Sequence, residues 1–508
     1  MSDFRFFSRI APLPALALSA LTLVLAGCAV GPNFVKPAPA APDDWTSWRS
    51  ADKALQTPVG NDRTLPADWW RAFVDPVLDR LAQRAFDASP DLKTAALRFA
   101  QARAQRSTVE AQRGPQLSAD GGAIRQRQSE YGATARMIDA IGGDSSTMVK
   151  ALSEPFTLYQ LGFDASWELD LWGRVRRSIE AADADVSGQA ALLDLARLSL
   201  ISDVVRNYFE LRTTQRQIRL AREDIAALEE RMSLLEARVQ GGVVDHLDLE
   251  RQRAELAGVK AQLPGLLAQE GASTNQIALL LGERPGALRD ELAPVTGDAK
   301  TALSDLALGL PSEVALHRPD IRAAEARLHR ATASIGVAQA ELYPSIRLGA
   351  RFGYESYASD EFSAWGSRTW SIGPTLSLPL FDRGRRKSVV QLRELEQQEA
   401  AVNYQKTVLK AWQEIYDALS GYAAEQQQES ELQARMRSAG QAYELAEARY
   451  DGGITDFLPV LDSQRSYLQA RRDLVASEGR LSTRYVMVNK AIGNTPLPER
   501  SDEDAQAK

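Results

Sequence analysis

The sequence predicts a mixed α and β membrane protein: four strands per chain contribute to an oligomeric β-barrel that continues into a long α-helical barrel. Three observations predict it: an internal two-fold repeat, four strands with one apolar and one polar face, and two proline-free helical stretches of some 68 residues. In the repeat, Ser89-Pro90-Asp91-Leu92-Lys93 recurs as Arg318-Pro319-Asp320-Ile321-Arg322, and Pro115-Gln116-Leu117 as Pro344-Ser345-Ile346, both at an offset of 229. Leu171-Trp172-Gly173-Arg174-Val175-Arg176-Arg177 recurs as Leu380-Phe381-Asp382-Arg383-Gly384-Arg385-Arg386 at 209, and Arg238-Val239-Gln240-Gly241-Gly242 as Arg449-Tyr450-Asp451-Gly452-Gly453 at 211. The drop from 229 to 209 places a 20-residue insertion in the first half, around Ser129 to Glu154. A duplication this long implies pseudo-symmetry and favours a structural or conduit role, because a catalytic site rarely needs each half to do the same thing.

The N-terminus reads as an export signal over residues 1–27. Arg5 and Arg9 precede an apolar run from Ile10 to Leu25, and Leu25-Ala26-Gly27-Cys28 closes it. That ending resembles a bacterial lipobox, with Cys28 as the acylated residue. Cys28 is the single cysteine of the 508-residue chain, so it has no intramolecular disulfide partner. Ala29 follows where an inner-membrane retention Asp would stand, which points to the outer membrane. Residues 28–66 carry Pro32, Pro37, Pro39, Pro42, Pro58 and Pro66 and are expected to form an extended, largely irregular lead. The acidic tail, 496–508, is expected to be disordered. A net charge of −7 and a pI near 5.4 argue against nucleic acid as a partner.

Strands are expected at about 115–128 and 156–171 in the first repeat, residues 67–295, and at about 344–357 and 369–381 in the second, residues 296–495. In the second strand Tyr159, Leu161, Phe163, Ala165, Trp167, Leu169 and Leu171 alternate with Gln160, Gly162, Asp164, Ser166, Glu168 and Asp170. The same alternation runs through Ile346 to Tyr354 and Trp370 to Leu380, and more weakly through Leu117 to Ala123. Runs of about 10–13 residues suit tilted strands crossing a bilayer, where no edge is left unpaired. Four strands cannot close alone; two chains would supply 8 and three would supply 12.

Each second strand leads into a long helix, Gly173 to Gln240 and Arg383 to Asp451, of length on the order of 100 Å. Ala221, Ile225, Leu228, Met232, Leu235 and Val239 follow heptad spacing, as do Leu432, Met436, Ala439, Tyr443, Ala446 and Tyr450. Gly241-Gly242 and Gly452-Gly453 mark the helix-tip turns, with return helices from about Asp245 and Asp456 through roughly Leu281 and Ile492. Arg174, Arg176, Arg177, Arg383, Arg385, Arg386 and Lys387 gather where strand becomes helix. Membrane phosphates or local carboxylates are the partners open to them. His246, His317 and His329 lack metal-ligand spacing, and no catalytic triad, nucleotide loop or paired-carboxylate motif stands out; neither metal nor cofactor is expected, nor an enzyme.

Several short pieces, in order, carry a family resemblance: Cys28-Ala29-Val30-Gly31-Pro32-Asn33-Phe34, Trp69-Trp70, Ala88-Ser89-Pro90-Asp91-Leu92, Leu316-His317-Arg318-Pro319-Asp320-Ile321-Arg322-Ala323-Ala324-Glu325, Phe381-Asp382-Arg383-Gly384 and Arg449-Tyr450-Asp451-Gly452-Gly453. With them the chain resembles the TolC-like outer-membrane factors, in particular the NodT-type lipoproteins of resistance–nodulation–division efflux systems. The resemblance implies a homotrimer with a 12-stranded barrel in the outer membrane, a periplasmic helical barrel, and the insertion as an extracellular loop. It implies as partners a periplasmic adaptor protein, an inner-membrane pump acting through that adaptor, and outer-membrane lipid. Leu458, Asp462 and Arg465 match positions that line or latch the periplasmic gate, Leu247 and Asp248 being the first-repeat counterparts; Pro459 departs from the commoner polar residue. The function implied is passive exit of small molecules, such as drugs and toxic compounds, from periplasm to exterior. An exit duct for type I protein secretion and a pore-free coiled-coil scaffold lipoprotein are the alternatives.

Overall fold

The computed structural model describes residues 29–38, 68–141, 145–242, 245–294, 314 and 317–496. The signal peptide, Cys28, most of the 28–66 lead and residues 497–508 lie outside the described residues. Two compact units form, and neither is one of the sequence repeats. The first draws on 1–35, 102–185 and 328–400, the second on 36–101, 186–327 and 401–508, so each takes pieces from both halves.

The first unit holds one antiparallel sheet of β1 (Gln116–Gln126), β2 (Phe156–Leu169), β3 (Ser345–Ser356) and β4 (Arg368–Ser377), in that spatial order. Register fixes its two faces. Ala119, Phe163, Phe352 and Trp370 stand side by side across the strands, as do Leu117, Ala165, Ala350 and Ile372. One residue over, Ser118, Asp164, Arg351 and Ser371 line the other face. The alternation in the sequence is thus one continuous apolar face and one continuous polar face. The apolar face is uncovered within the chain: Phe163 is 53% exposed and Trp370 74%. Among the described residues β1 and β4 each have one edge without a strand partner. β4 stops at Ser377 rather than near 381, because Pro379 has no N–H for the ladder; Leu380 and Phe381 are exposed beyond it.

Two short helices, α3 (Ala133–Ile141) and α4 (Ser145–Leu152), occupy the segment inserted between β1 and β2. The strand-to-helix turns revise the repeat alignment. Gly173 has φ 81° and is followed by the helix Arg174–Gln240; Gly384 has φ 82° and is followed by Arg385–Asp451. Positive φ is the conformation glycine takes without steric cost, so these two glycines are the equivalent residues. Their offset is 211, as at the tips, so the 209 match of Leu171 to Leu380 is out of step by two, and the first half is 18 residues longer rather than 20.

The second unit is helical. It contains α1 (Pro76–Ala88) and the greater parts of α2 (Pro90–Glu110), α5 (Arg174–Gln240) and α8 (Arg385–Asp451), together with α6 (His246–Leu280) and α9 (Leu458–Ala491). α5 and α8 are 67 residues each, and α6 runs unbroken through Pro264. The first-noted repeat motif is a helix start: Pro90 opens α2 and Pro319 opens α7 (Pro319–Ala340), at the position where a missing N–H costs nothing. A core around Trp69, Phe73, Tyr208, Phe209, Trp412 and Tyr485 is buried here. No helix among the described residues is long and apolar enough to cross a membrane.

Candidate gate at the helix-hairpin tips

Both hairpins of the second unit turn on the glycine pairs read from the sequence. At the first, Gly241 N–H donates to Ala237 O at 3.0 Å and Gly242, with φ 72°, to Val239 O at 2.9 Å. At the second, Gly453 has φ 69° and donates to Tyr450 O at 3.0 Å, and Ile454 reaches back to Arg449 O at 2.9 Å. These bonds satisfy carbonyls that the helix ends leave open. Asp245 caps α6, its carboxylate accepting Leu247 N–H at 3.2 Å. Asp456 has no such role: α9 starts at Leu458, its N-cap is Phe457, and no side-chain hydrogen bond caps it. Phe457 is 2% exposed, so a buried ring rather than a capping carboxylate fixes where this helix begins.

That ring belongs to a cluster joining the two tips. Leu235 of α5, Leu249 of α6, and Phe457, Val460 and Leu461 of the second hairpin form its buried centre. The heptad residues Met232, Val239, Tyr443, Ala446 and Tyr450 pack against it. Polar links bind the same helices. Arg231 of α5 bonds the Glu447 carboxylate and the Tyr443 hydroxyl of α8, and Arg238 lies over the Tyr450 ring while facing Asp451 at 3.7 Å.

The expected gate residues sit on this platform. Leu458 and Asp462 are exposed on α9, and Asp462 has no ion-pair partner among the described residues. Arg465, one turn further on, donates from Nε to Glu255 Oε2 of α6 at 2.6 Å, a carboxylate on a neighbouring helix. Leu247 is exposed on α6. Asp248 differs from Asp462, since Arg251 meets it at 3.2 Å. Pro459 occupies the first turn of α9, where its ring is accommodated.

Sequence reasoning missed the polar groups buried behind the tips. Gln252 and Gln464 stand at near-equivalent places in the two return helices; both are buried, and the Oε1 of each lacks a hydrogen-bond partner. Asp224 is enclosed between Arg471 at 3.0 Å and Arg472 at 3.7 Å, with one carboxylate oxygen and Arg472 Nη1 left unsatisfied. Burial raises the Asp224 pKa despite both arginines. Polar residues within a heptad stretch look solvated in one dimension, so only tertiary packing reveals these.

At the strand-to-helix junction of the first unit, local carboxylates serve the basic cluster. Arg174 grips Glu168 through two bonds, 2.7 and 3.0 Å. Asp170 accepts the Val175 and Arg176 N–H groups, Asp382 those of Gly384 and Arg386, so each long helix has a carboxylate at its positive end. Arg176 pairs with Asp170, Arg177 with Glu180 and Arg386 with Asp382. His329 lies 3.0 Å from Glu180. Among the described residues no group of His, Cys, Asp and Glu is arranged to hold a metal ion.

Comparison with known proteins places this architecture. The family model described as outer membrane efflux protein matches residues 81–283 and 310–494. Outer membrane protein OprJ of Pseudomonas aeruginosa is 33% identical over 456 residues, covering 89% of this chain and 90% of OprJ. The toluene efflux pump outer membrane protein TtgF of Pseudomonas putida is 30% identical over 479 residues, covering 93% of this chain and 95% of TtgF. The solved outer-membrane channel OprN superposes with a TM-score of 0.82 at 31% identity, covering 93% of this chain and all of that one.

Proposed function

The chain belongs to the outer membrane efflux protein family, and on that premise we propose that three copies close a 12-stranded barrel whose continuation is a helical duct gated at the hairpin tips. It is a lipid-anchored outer-membrane exit channel of a tripartite efflux pump, conducting small molecules passively from the periplasm to the exterior. The observation that supports the assembly is the sheet: an in-register apolar face left uncovered, bounded by two unpaired edges. Water tolerates neither well, and hydrocarbon requires the edges to pair, which copies of the same chain accomplish by joining β1 of one to β4 of the next.

With threefold symmetry Leu458 becomes an apolar collar, Asp462 a ring of carboxylates, and Arg465–Glu255 a latch holding the α6 and α9 tips together. A periplasmic adaptor docks the tips, and the inner-membrane pump behind it supplies the energy. Cys28 carries the acyl anchor, and lipid surrounds the apolar face. Mass measurement in mild detergent should return three chains, and planar-bilayer recordings should show a small, cation-selective resting conductance. A monomer that conducts nothing overturns the assembly.

A further inference from the structure

The segment that follows the acylation position is docked. Val30 N–H donates to Trp172 O at 3.0 Å, where β2 gives way to α5. The Arg177 side chain, only 6% exposed, donates to Val30 O and Gly31 O at 3.3 Å each and to Asn33 Oδ1 at 2.7 Å. Its remaining contact, Glu180 at 2.7 Å, also meets His329, and the His329 ring stacks on Phe34 with centroids 4.2 Å apart and planes 13° from parallel. Backbone shape is matched as well. A Cβ on Gly336 would lie 2.9 Å from Val30 O and 2.8 Å from Arg177 Cγ, and one on Gly173 would lie 2.6 Å from Ala29 Cβ. Gly31 itself has φ 95°, and its added Cβ would reach 2.5 Å from Gly336 Cα. A buried guanidinium satisfied chiefly by another segment's carbonyls, across facing glycines, is a built binding site. An extended lead needs none of this.

We propose that Gly173, Arg177, His329 and Gly336 form a receptor groove for the chain's own lipoprotein terminus, with Ala29–Val35 as its ligand, so that the acyl chains leave the protein at a fixed point beside the strand-to-helix junction. The inference rests on the reading of Cys28 as the acylated residue. One bond separates that residue from Ala29, and consecutive Cα atoms are about 3.8 Å apart, so docking of Ala29 and Val30 sets where the anchor starts. The ligand is specific. Gly31 cannot be replaced without strain, Asn33 supplies a side-chain acceptor, and Phe34 supplies the stacking ring. The stacked pair Trp172 and Tyr343, centroids 4.7 Å apart, adjoins the docking point, as aromatic residues do at a membrane interface.

Hydrogen exchange on the full-length protein in detergent tests it, with palmitate-analogue labelling in parallel. In the wild type the Val30 amide, which donates to Trp172 O, should be protected. Arg177→Met, which keeps the stem and removes the donors that hold the segment by its carbonyls, should speed exchange of the Val30 amide by about tenfold or more while the β2–β3 amides stay protected. Gly336→Ala should do the same by steric displacement, and it decides the matter if Arg177→Met loses β2–β3 protection. A Phe34→Cys/His329→Cys disulfide added to Arg177→Met should restore protection. Exchange at the unstructured rate in the wild type, or no change in either variant, overturns the groove. Absence of palmitate labelling in a wild type whose Val30 amide is protected overturns the acylation of Cys28 and leaves the groove standing.

Discussion

Asp462 and Arg465 lie within one turn of α9, yet their surroundings assign them different work. Asp462 is exposed and unpaired among the described residues, so a ring of copies would concentrate negative charge, and Asp462→Ala should weaken cation selectivity and block by trivalent cations. Arg465 is half exposed and bonded to Glu255, a pair worth at most about 1 kcal/mol at such exposure. Arg465→Ala should therefore raise resting conductance by up to about fivefold without altering selectivity. Single-channel recording separates the two; if neither variant differs from wild type, the constriction lies elsewhere. Asp224 makes a pH prediction. Burial raises its folded pKa above the ordinary carboxylate value, so its contribution to stability is present below the unfolded-state pKa and is lost as pH rises through the folded pKa. Asp224→Asn should gain melting temperature relative to wild type between pH 3 and pH 7. An unchanged difference across that range means that the two arginines fully compensate the buried carboxylate.

At the scale of elements, the tips combine tight turns with imperfectly satisfied interiors. Gly242→Ala and Gly453→Ala place a Cβ on positive-φ backbone and should each cost on the order of 1 kcal/mol in thermal or denaturant unfolding. Gln252→Leu and Gln464→Leu should act in the opposite sense, because each removes a buried oxygen with no partner from an apolar setting. If opening requires the α6 and α9 tips to separate, the Leu variants should be more stable and open less often; stabilisation without a change in opening detaches these residues from gating. The sequence displayed much of this architecture, for identifiable reasons. Heptad spacing is a one-dimensional shadow of helix packing, so Leu235, Val239 and Tyr450 read from sequence as packing residues, and strict alternation marks β2 and β3. Other features depend on partners far along the chain. Glu255 is 210 residues from Arg465, and nothing local marks it as the acceptor. Phe457 sets the start of α9 through burial, just beyond the Asp456 from which the sequence alone starts the return helix. The 209 offset matched arginines by type, whereas conformation is set by Gly173 and Gly384.

For the whole molecule, the decisive feature is that a sheet this apolar on one side is incomplete in isolation. The two units each combine segments from both repeats, so duplication of the sequence yields one sheet and one helical unit instead of two copies of a small domain. This interleaving gathers the four strands, two from each repeat, into one sheet. Adjacent residues of β4 then make opposite predictions. Ile372 is exposed on the apolar face beside Ala350, and if that face meets lipid, Ile372→Lys should cost about 2–4 kcal/mol near the bilayer midplane and less toward its edges. Ser371, its neighbour, pairs with Arg351 on the polar face, so Ser371→Lys should assemble normally and shift the open channel toward anions. Outer-membrane yield of assembled protein and reversal potential under a salt gradient measure the two effects. Equal tolerance of both lysines would place the apolar face out of lipid, and equal loss of assembly would mean that the polar face lines no water-filled lumen.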